Sequence, residues 1–481
     1  MNIGLILYIS SIAVIFESIF MLFPILVSLI YGEEGLNALL ASFLVTFFSG
    51  SLTYLLSKRY KEGDLRHREA FFAVTFSWVV ATIFATFPYL ISGAIDSFTD
   101  AYFEAMAGFT TTGSSVVVDI ESFPKGILFW RSLTQWMGGM GIILFAIAVL
   151  PVLGAGGMQL FKAEVPEISV DKLRPRIIDT AKALWFIYTG LTVLCSATYM
   201  AGGMSVYDAI NHALTTMATG GFSTKNASLA YYKSSIIEFS SGIFMFLAGI
   251  NYSLYYYAFR GNISRLWKSG EFRFYLFLTV AATFLITLNL MTSGVLILDS
   301  FRLAFFQVTS IMTTTGYASA DFEKWPPLSL IILVTLMFAG GMIGSTGGGI
   351  KQVRILLTLK QGYREIYQLI HPRAVTTLKL DDKILSKEIL GSIWGFFFLF
   401  ILIWVVASMG MAATGADIIT STTTVISALC NVGPALGEAG PSENYASLHV
   451  VSKWILIFCM LTGRLELYTV LILFIPRFWK K

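Results

Sequence analysis

The sequence predicts an all-α polytopic membrane protein: four pseudo-repeated helix–pore helix–filter loop–helix units around one central pore, preceded by two extra transmembrane helices. Three observations predict it. The 481-residue chain is 56% hydrophobic and only 13% charged, with a mean hydropathy of +0.73, whereas a soluble domain carries roughly a quarter charged residues. Ten apolar stretches reach the length that crosses a bilayer, about 20 residues. Four short glycine-bearing stretches recur at intervals of 107, 96 and 117 residues, centred on Gly113, Gly220, Gly316 and Gly433. That period is far longer than a solenoid repeat and suits two spanning helices with a re-entrant loop between them.

Taken in order, residues 3–30 and 36–57 give the leading pair, within 1–69. The four units follow as 70–160, 161–262, 263–385 and 386–481, with spans at 71–93 and 127–150, 182–202 and 234–258, 273–295 and 327–358, and 389–412 and 448–475. No basic region precedes the first apolar run and no small-residue cleavage signature follows it, so a retained helix is expected rather than a signal peptide. Cys195, Cys430 and Cys459 are far apart in apolar surroundings, which predicts small core residues, not a disulfide framework or a metal site. No stretch is both long and polar enough to form a separate cytosolic domain.

Short cytoplasmic loops are enriched in Lys and Arg. Segments 58–70, 151–183, 259–273, 351–388 and 476–481 hold 25 of the 33 basic residues and fall on one side of the proposed topology. Both termini are then cytoplasmic. The other side carries the loop mouths and the acids Asp119, Glu121, Asp321, Glu323, Glu438 and Glu443, an arrangement that concentrates cations.

The third loop, Met312-Thr313-Thr314-Thr315-Gly316-Tyr317-Ala318, resembles the Thr-Val-Gly-Tyr-Gly loop whose backbone carbonyls replace a potassium ion's hydration shell. Thr110-Thr111-Thr112-Gly113-Ser114, Met217-Ala218-Thr219-Gly220-Gly221 and Cys430-Asn431-Val432-Gly433-Pro434 can be laid over it. Glycine permits the positive φ that turns successive carbonyls toward an axis, and non-helical backbone at membrane depth is tolerated where it lines a water-filled path. The ion-facing carbonyls are assigned to Thr111 and Thr112, Ala218 and Thr219, Thr314 and Thr315, and Asn431 and Val432, with Gly113, Gly220, Gly316 and Gly433 setting the turns. Nine positions before each glycine stands a polar residue, Glu104, Asn211, Gln307 or Thr424, expected on a short helix leading into the loop. Glycine breaks are expected 25 to 30 positions after each loop, at Gly138 and Gly139, Gly249, Gly340 and Gly341, and Gly463.

Residues 340–349 hold six glycines in ten, Gly340, Gly341, Gly344, Gly347, Gly348 and Gly349, together with Ser345 and Thr346. Each interior glycine costs a helix about 1 kcal/mol relative to alanine, so an unwound segment over 340–351 is expected, beneath its own loop, in a gate's position; the alternative is a passive kink packed against a neighbour. A phosphate-binding loop is disfavoured, because that motif needs glycine before its lysine and Ser or Thr after it, and Lys351 stands between Ile350 and Gln352. Arg464 falls near mid-membrane in the last span, where an ionisable group is a functional-site hypothesis by default. It is expected to project toward the pore and contact the unwound segment; the alternative is that it caps buried carbonyls at a helix interface.

These loops, the run Trp130-Arg131-Ser132-Leu133-Thr134-Gln135-Trp136 leading into Gly138-Gly139-Met140-Gly141, the stretch 340–351, and Gly463-Arg464-Leu465-Glu466 resemble the membrane subunits of bacterial Trk-type potassium uptake systems, in the Trk/Ktr/HKT superfamily. The two leading helices favour the Trk branch. The resemblance implies potassium as the transported ion at the four loops, a gating role for 340–351 and Arg464, residence in the bacterial cytoplasmic (inner) membrane, and assembly as a homodimer among membrane lipid. It implies a cytosolic TrkA-type regulatory subunit that carries the nucleotide, with no cofactor in this chain and no nucleic acid. Serine in place of the first-loop glycine implies sodium permeation in relatives; Gly113 implies potassium selectivity. The fourth loop departs from the pattern in lacking threonine. The alternative transport mode is a sodium- or proton-coupled symporter. An enzyme is disfavoured, since His67, His212, His371 and His449 are scattered and no acid pair clusters.

Overall fold

The computed structural model describes residues 1–61, 66–148, 173–374, 376–381 and 383–480. The basic stretch 151–172 and the boundary expected at 160–161 lie outside them. Among the described residues, six helices are long and apolar enough to cross a membrane: Ile3–Tyr31, Leu36–Tyr60, His67–Ile91, Asp179–Ala201, Gly270–Thr292 and Lys387–Ala413. The first two are the leading pair, and the other four open the four units. Apart from a two-residue antiparallel pairing, Lys379–Leu380 with Lys383–Ile384, the described regular structure is helical.

Four shorter helices re-enter the fold: Phe98–Phe109, Val206–Met217, Ile297–Met312 and Ile418–Cys430. Side-chain caps start three of them. Ser97 accepts from Asp100 N–H, Ser205 from Asp208 N–H, and Asp417 from the N–H groups of Ile419 and Thr420, satisfying donors that a helix start leaves open. Their C-terminal halves are buried.

The second helix of each unit departs from the expected plan in an instructive way. In the first unit Lys125–Ala148 runs helical through Gly138 and Gly139, so the break expected there is absent. These glycines serve close approach: a Cβ on Gly138 would collide with the Phe109 carbonyl, and one on Gly139 would lie 3.0 Å from Ala218 Cα. In the second unit Ser235–Ala248 and Tyr252–Phe259 meet at 93° after Gly249, so 234–258 is not one straight span. In the third, Pro327–Ala339 and Gln352–Ile370 flank the non-helical 340–351. In the fourth, Val450–Arg464 and Tyr468–Phe474 meet at 113°; the break falls at 465–467 rather than at Gly463, whose missing Cβ clears the Leu429 carbonyl.

The leading pair packs on the first unit. Gly50 lies against Val14 and Ile15, Ser28 and Leu39 close on Gly126, and the rings of Phe20 and Trp136 are 6.1 Å apart. One end of the molecule gathers both chain ends: Asn2 N–H donates to Glu69 Oε1 at 3.3 Å, and Arg68 donates to the Lys480 carbonyl at 2.6 Å.

Candidate functional site

Each re-entrant helix ends in the same way. Thr111, Thr219, Thr314 and Asn431 take left-handed φ of 51°, 53°, 62° and 56°. Their N–H groups bond three residues back, to Gly108, Thr216, Ile311 and Ala428, and the next N–H reaches five back, to Ala107, Thr215, Ser310 and Ser427. Two residues beyond each stands a glycine of positive φ: Gly113 (82°), Gly221 (78°), Gly316 (80°) and Gly433 (104°). Left-handed backbone is rare for a β-branched residue and costs on the order of 1–3 kcal/mol, a strain that collects at ligand clamps.

The glycines define a ring. A Cβ on Gly113 would strike the Gly220 carbonyl oxygen, one on Gly221 that of Thr315, one on Gly316 that of Val432, and one on Gly433 would sit 2.7 Å from that of Thr112. Each loop thus presses its glycine on its neighbour's preceding carbonyl, once around. This corrects the second loop by one residue. Gly221, not Gly220, is the equivalent of Gly113, and the aligned pair is Thr219 and Gly220, because Ala218 still has right-handed φ as the helix cap. The residue nine back is then His212, not Asn211. Thr111, Thr112, Thr219, Thr314, Thr315, Asn431 and Val432 are fully buried, while Gly113, Gly221 and Gly316 are half-buried.

Side chains brace the ring from behind, differently at the three junctions that follow. Arg131 pairs with Glu104 at 2.5 Å and donates to the Ser223 carbonyl at 3.0 Å, while Gln135 donates to the Gly220 carbonyl at 2.7 Å and accepts from Phe222 N–H. Both join the first unit to the second. Tyr317 of the third loop bonds Thr215 and donates to the His212 carbonyl of the second. Tyr445 donates to the Gly433 carbonyl at 2.6 Å within the fourth unit, and Asn431 Nδ2 donates to Thr112 Oγ1 at 3.0 Å, joining the fourth to the first.

Residues 340–351 cross against the inner ends of these helices. Gly348 N–H donates to Thr314 Oγ1 at 2.7 Å, Thr346 Oγ1 to the Met217 carbonyl at 3.0 Å, and a Cβ on Gly348 would meet the Cys430 carbonyl. Gly347 faces the Thr313 carbonyl, and Lys351 Nζ turns back to the Gly347 carbonyl. Ser345 caps its own turn on Met342. Gly340 and Gly349 touch at the base, while Gly341 and Gly344 lie against Gly249 and Asn251 at the second unit's bend. Arg464 closes the remaining quadrant. It is 2% exposed and donates to the Thr346 carbonyl at 2.7 Å and the Gly138 carbonyl at 3.3 Å. Glu466 pairs with Arg354, not with Arg464.

The family model of the TrkH cation transport proteins matches residues 35–481. The chain belongs to the TrkH family. It is 41% identical over its whole length to the Trk system potassium uptake protein TrkH of Halomonas elongata, all of which is covered, and 40% identical to that of Escherichia coli K12, with 96% of each chain covered. The crystal structure of the potassium transporter TrkH from Vibrio parahaemolyticus superposes with a TM-score of 0.92 at 38% identity, covering all of both chains. This TrkH family member is therefore a multi-pass α-helical membrane protein of a transporter family, and not an enzyme.

Sequence reasoning left Arg131, Gln135, Tyr317 and Tyr445 without roles. The signal that singled out Arg464, an ionisable side chain within an apolar span, applies equally to Arg131 and Glu104. At the opposite end from the chain termini, acids expected at the mouths link units. Asp119 and Glu121 bond Asn226 and Lys225, and Glu323 accepts from Gly437 N–H at 2.6 Å. Asp417 keeps its carboxyl below the usual range, held first by the Thr420 side chain and then by the N–H groups it caps.

Proposed function

We propose that the chain carries potassium into the cell through the four-loop ring, and that residues 340–351 and Arg464 gate it from the cytoplasmic side. The observation that carries the reading is the ring itself: four left-handed turns, three of them on threonine, and four glycine-to-carbonyl contacts fix neutral oxygens around one axis. Neutral carbonyls replace a potassium ion's hydration without holding it as a carboxylate would. Thr112, Gly220, Thr315 and Val432 supply the innermost matched carbonyls on this reading, with the residue before each of them next.

Below the ring the crossing segment fills the axis. Arg354 and Glu466 neutralise each other, while Arg464 bonds only carbonyls among the described residues, so its charge stands uncompensated there. At about 4–8 Å and an effective dielectric constant near 20, a unit charge raises a cation's energy by roughly 2–4 kcal/mol. The protein works as a homodimer in the bacterial inner membrane, termini inside, and a cytosolic nucleotide-binding subunit of the TrkA type acts on the basic face to open it.

Purified protein in potassium-loaded liposomes tests this through uptake of labelled rubidium with and without excess sodium. Wild type is expected to pass little rubidium alone and Arg464→Ala at least tenfold more, with sodium a poor competitor in both. Uptake that sodium blocks in wild type would sink the potassium filter, and an Arg464→Ala variant no more active than wild type would sink the gate.

A further inference from the structure

Glu271 stands at the start of Gly270–Thr292, is fully buried, and lies outside every motif considered so far. Its Oε1 accepts from Ile343 N–H at 2.9 Å and from Val353 N–H at 3.2 Å. These two donors lie ten residues apart, Ile343 within the segment that crosses beneath the ring and Val353 just after it. The two ends of the segment are laced together by Ile350 N–H to the Phe338 carbonyl at 3.0 Å, Gln352 N–H to the Gly341 carbonyl at 3.2 Å and Gln352 Nε2 to the Gly340 carbonyl at 2.8 Å. The crossing segment is thus a noose, and one carboxylate oxygen from a neighbouring helix holds both of its cords. Hydrogen bonds to an ionised acceptor are the strong ones.

The neighbouring residue connects this hold to the surface. Gly270 N–H donates to Asp381 Oδ1 at 2.7 Å. Asp381 is exposed, has φ of 52°, and directly follows the Lys379–Leu380 strand of the small β pairing. Lys360, on the helix that leaves the noose, donates to the Lys379 carbonyl at 3.1 Å. The β pairing is therefore bonded both to the helix that carries the carboxylate and to the helix that continues the noose.

We infer that Glu271 is the positioning residue that latches the crossing segment shut, and that the β pairing at Lys379–Ile384 is the handle through which a displacement at the basic face loosens it. The inference rests on the gate reading above. Removing the latch leaves the ring untouched, so its signature is a gain of flux without a change of ion preference. A merely structural role would lower flux instead.

Full-length protein in potassium-loaded liposomes, without a partner subunit, would be compared as wild type, Glu271→Gln, Val353→Pro, Asp381→Ala and Arg464→Ala, with labelled rubidium uptake and sodium competition as readouts. Glu271→Gln keeps the shape and removes the charge. Val353→Pro removes one donor in a first helical turn, where proline is tolerated, and leaves Glu271 intact. Both are expected to raise uptake about three- to tenfold with sodium discrimination preserved, and Asp381→Ala about twofold. If Arg464→Ala raises uptake and neither Glu271→Gln nor Val353→Pro does, the gate survives and the latch is overturned. If none of the three raises it, the gate reading has failed and the latch with it. Should Glu271→Gln aggregate, monodisperse Val353→Pro decides alone: wild-type uptake overturns the latch. Asp381→Ala at wild-type uptake beside a leaky Glu271→Gln overturns the handle.

Discussion

A side chain added at Gly220 and one added at Gly221 meet different obstacles. At Gly220 the nearest atoms belong to the flexible Gln135 side chain, and φ is not positive; at Gly221 the obstacle is the Thr315 carbonyl and φ is 78°. Gly221→Ala is therefore expected to abolish selective rubidium uptake, whereas Gly220→Ala, which displaces Gln135, should keep a weakened flux. Equal effects would remove the one-residue correction of the second loop. Gly113→Ser works by the same geometry. Its side chain can be seated only by moving the Gly220 carbonyl, and a ring with one carbonyl displaced fits a dehydrated potassium ion less well, so sodium is expected to compete clearly in this variant and barely in wild type. The loops were legible in the sequence because glycine and threonine cluster there, but the register at consecutive glycines was not. It could have been read from the caps: Ser97 and Ser205 each stand sixteen residues before the true glycine, as Asp417 does.

At the scale of elements, the chain breaks three of its four inner helices in one region. The bend after Gly249 receives the crossing segment through Met342 N–H to the Gly249 carbonyl at 2.9 Å and Tyr252 N–H to that of Gly344 at 3.1 Å, and Arg354 ties the segment's far end to Glu466 at the last break. Arg354 also lies 4.2 Å from the Phe396 ring centroid and donates to the Ile350 carbonyl at 3.0 Å. Removing one partner of a largely buried ion pair leaves the other uncompensated, a loss of roughly 3–5 kcal/mol. Arg354→Met is accordingly expected to lower the thermal midpoint of the detergent-solubilised protein by several degrees, and Arg354→Met with Glu466→Gln to restore most of it. A double variant as unstable as the single one would show that the pair is not what Arg354 contributes. The unwound segment was legible because six glycines cannot be hidden in a helix. The break at 465–467 was not, since Leu465, Glu466 and Leu467 are good helix formers, and Glu466 meets Arg354 only in the folded chain.

Across the whole molecule, the two ends carry different chemistry. One end gathers both chain ends, with Arg68 reaching the Lys480 carbonyl, while the other laces the units through Asp119 and Glu121, Glu323, and Lys453 with Asp100 at 2.7 Å. If the basic end is cytoplasmic, as the enrichment of Lys and Arg in short inner loops leads one to expect, the crossing segment faces the cytosol. The chain's own composition makes this directly measurable. All three cysteines, Cys195, Cys430 and Cys459, are fully buried, so intact cells should give almost no background with a membrane-impermeant maleimide. Single cysteines at Glu438 and Lys324 are expected to label in intact cells, and single cysteines at Lys268 and Lys360 only after the membrane is opened. The reverse pattern would invert the molecule and place the crossing segment on the outer side, where no cytosolic partner could reach it. The gate reading and the latch at Glu271 would then fall together, because both place the crossing segment where a cytosolic subunit can act on it.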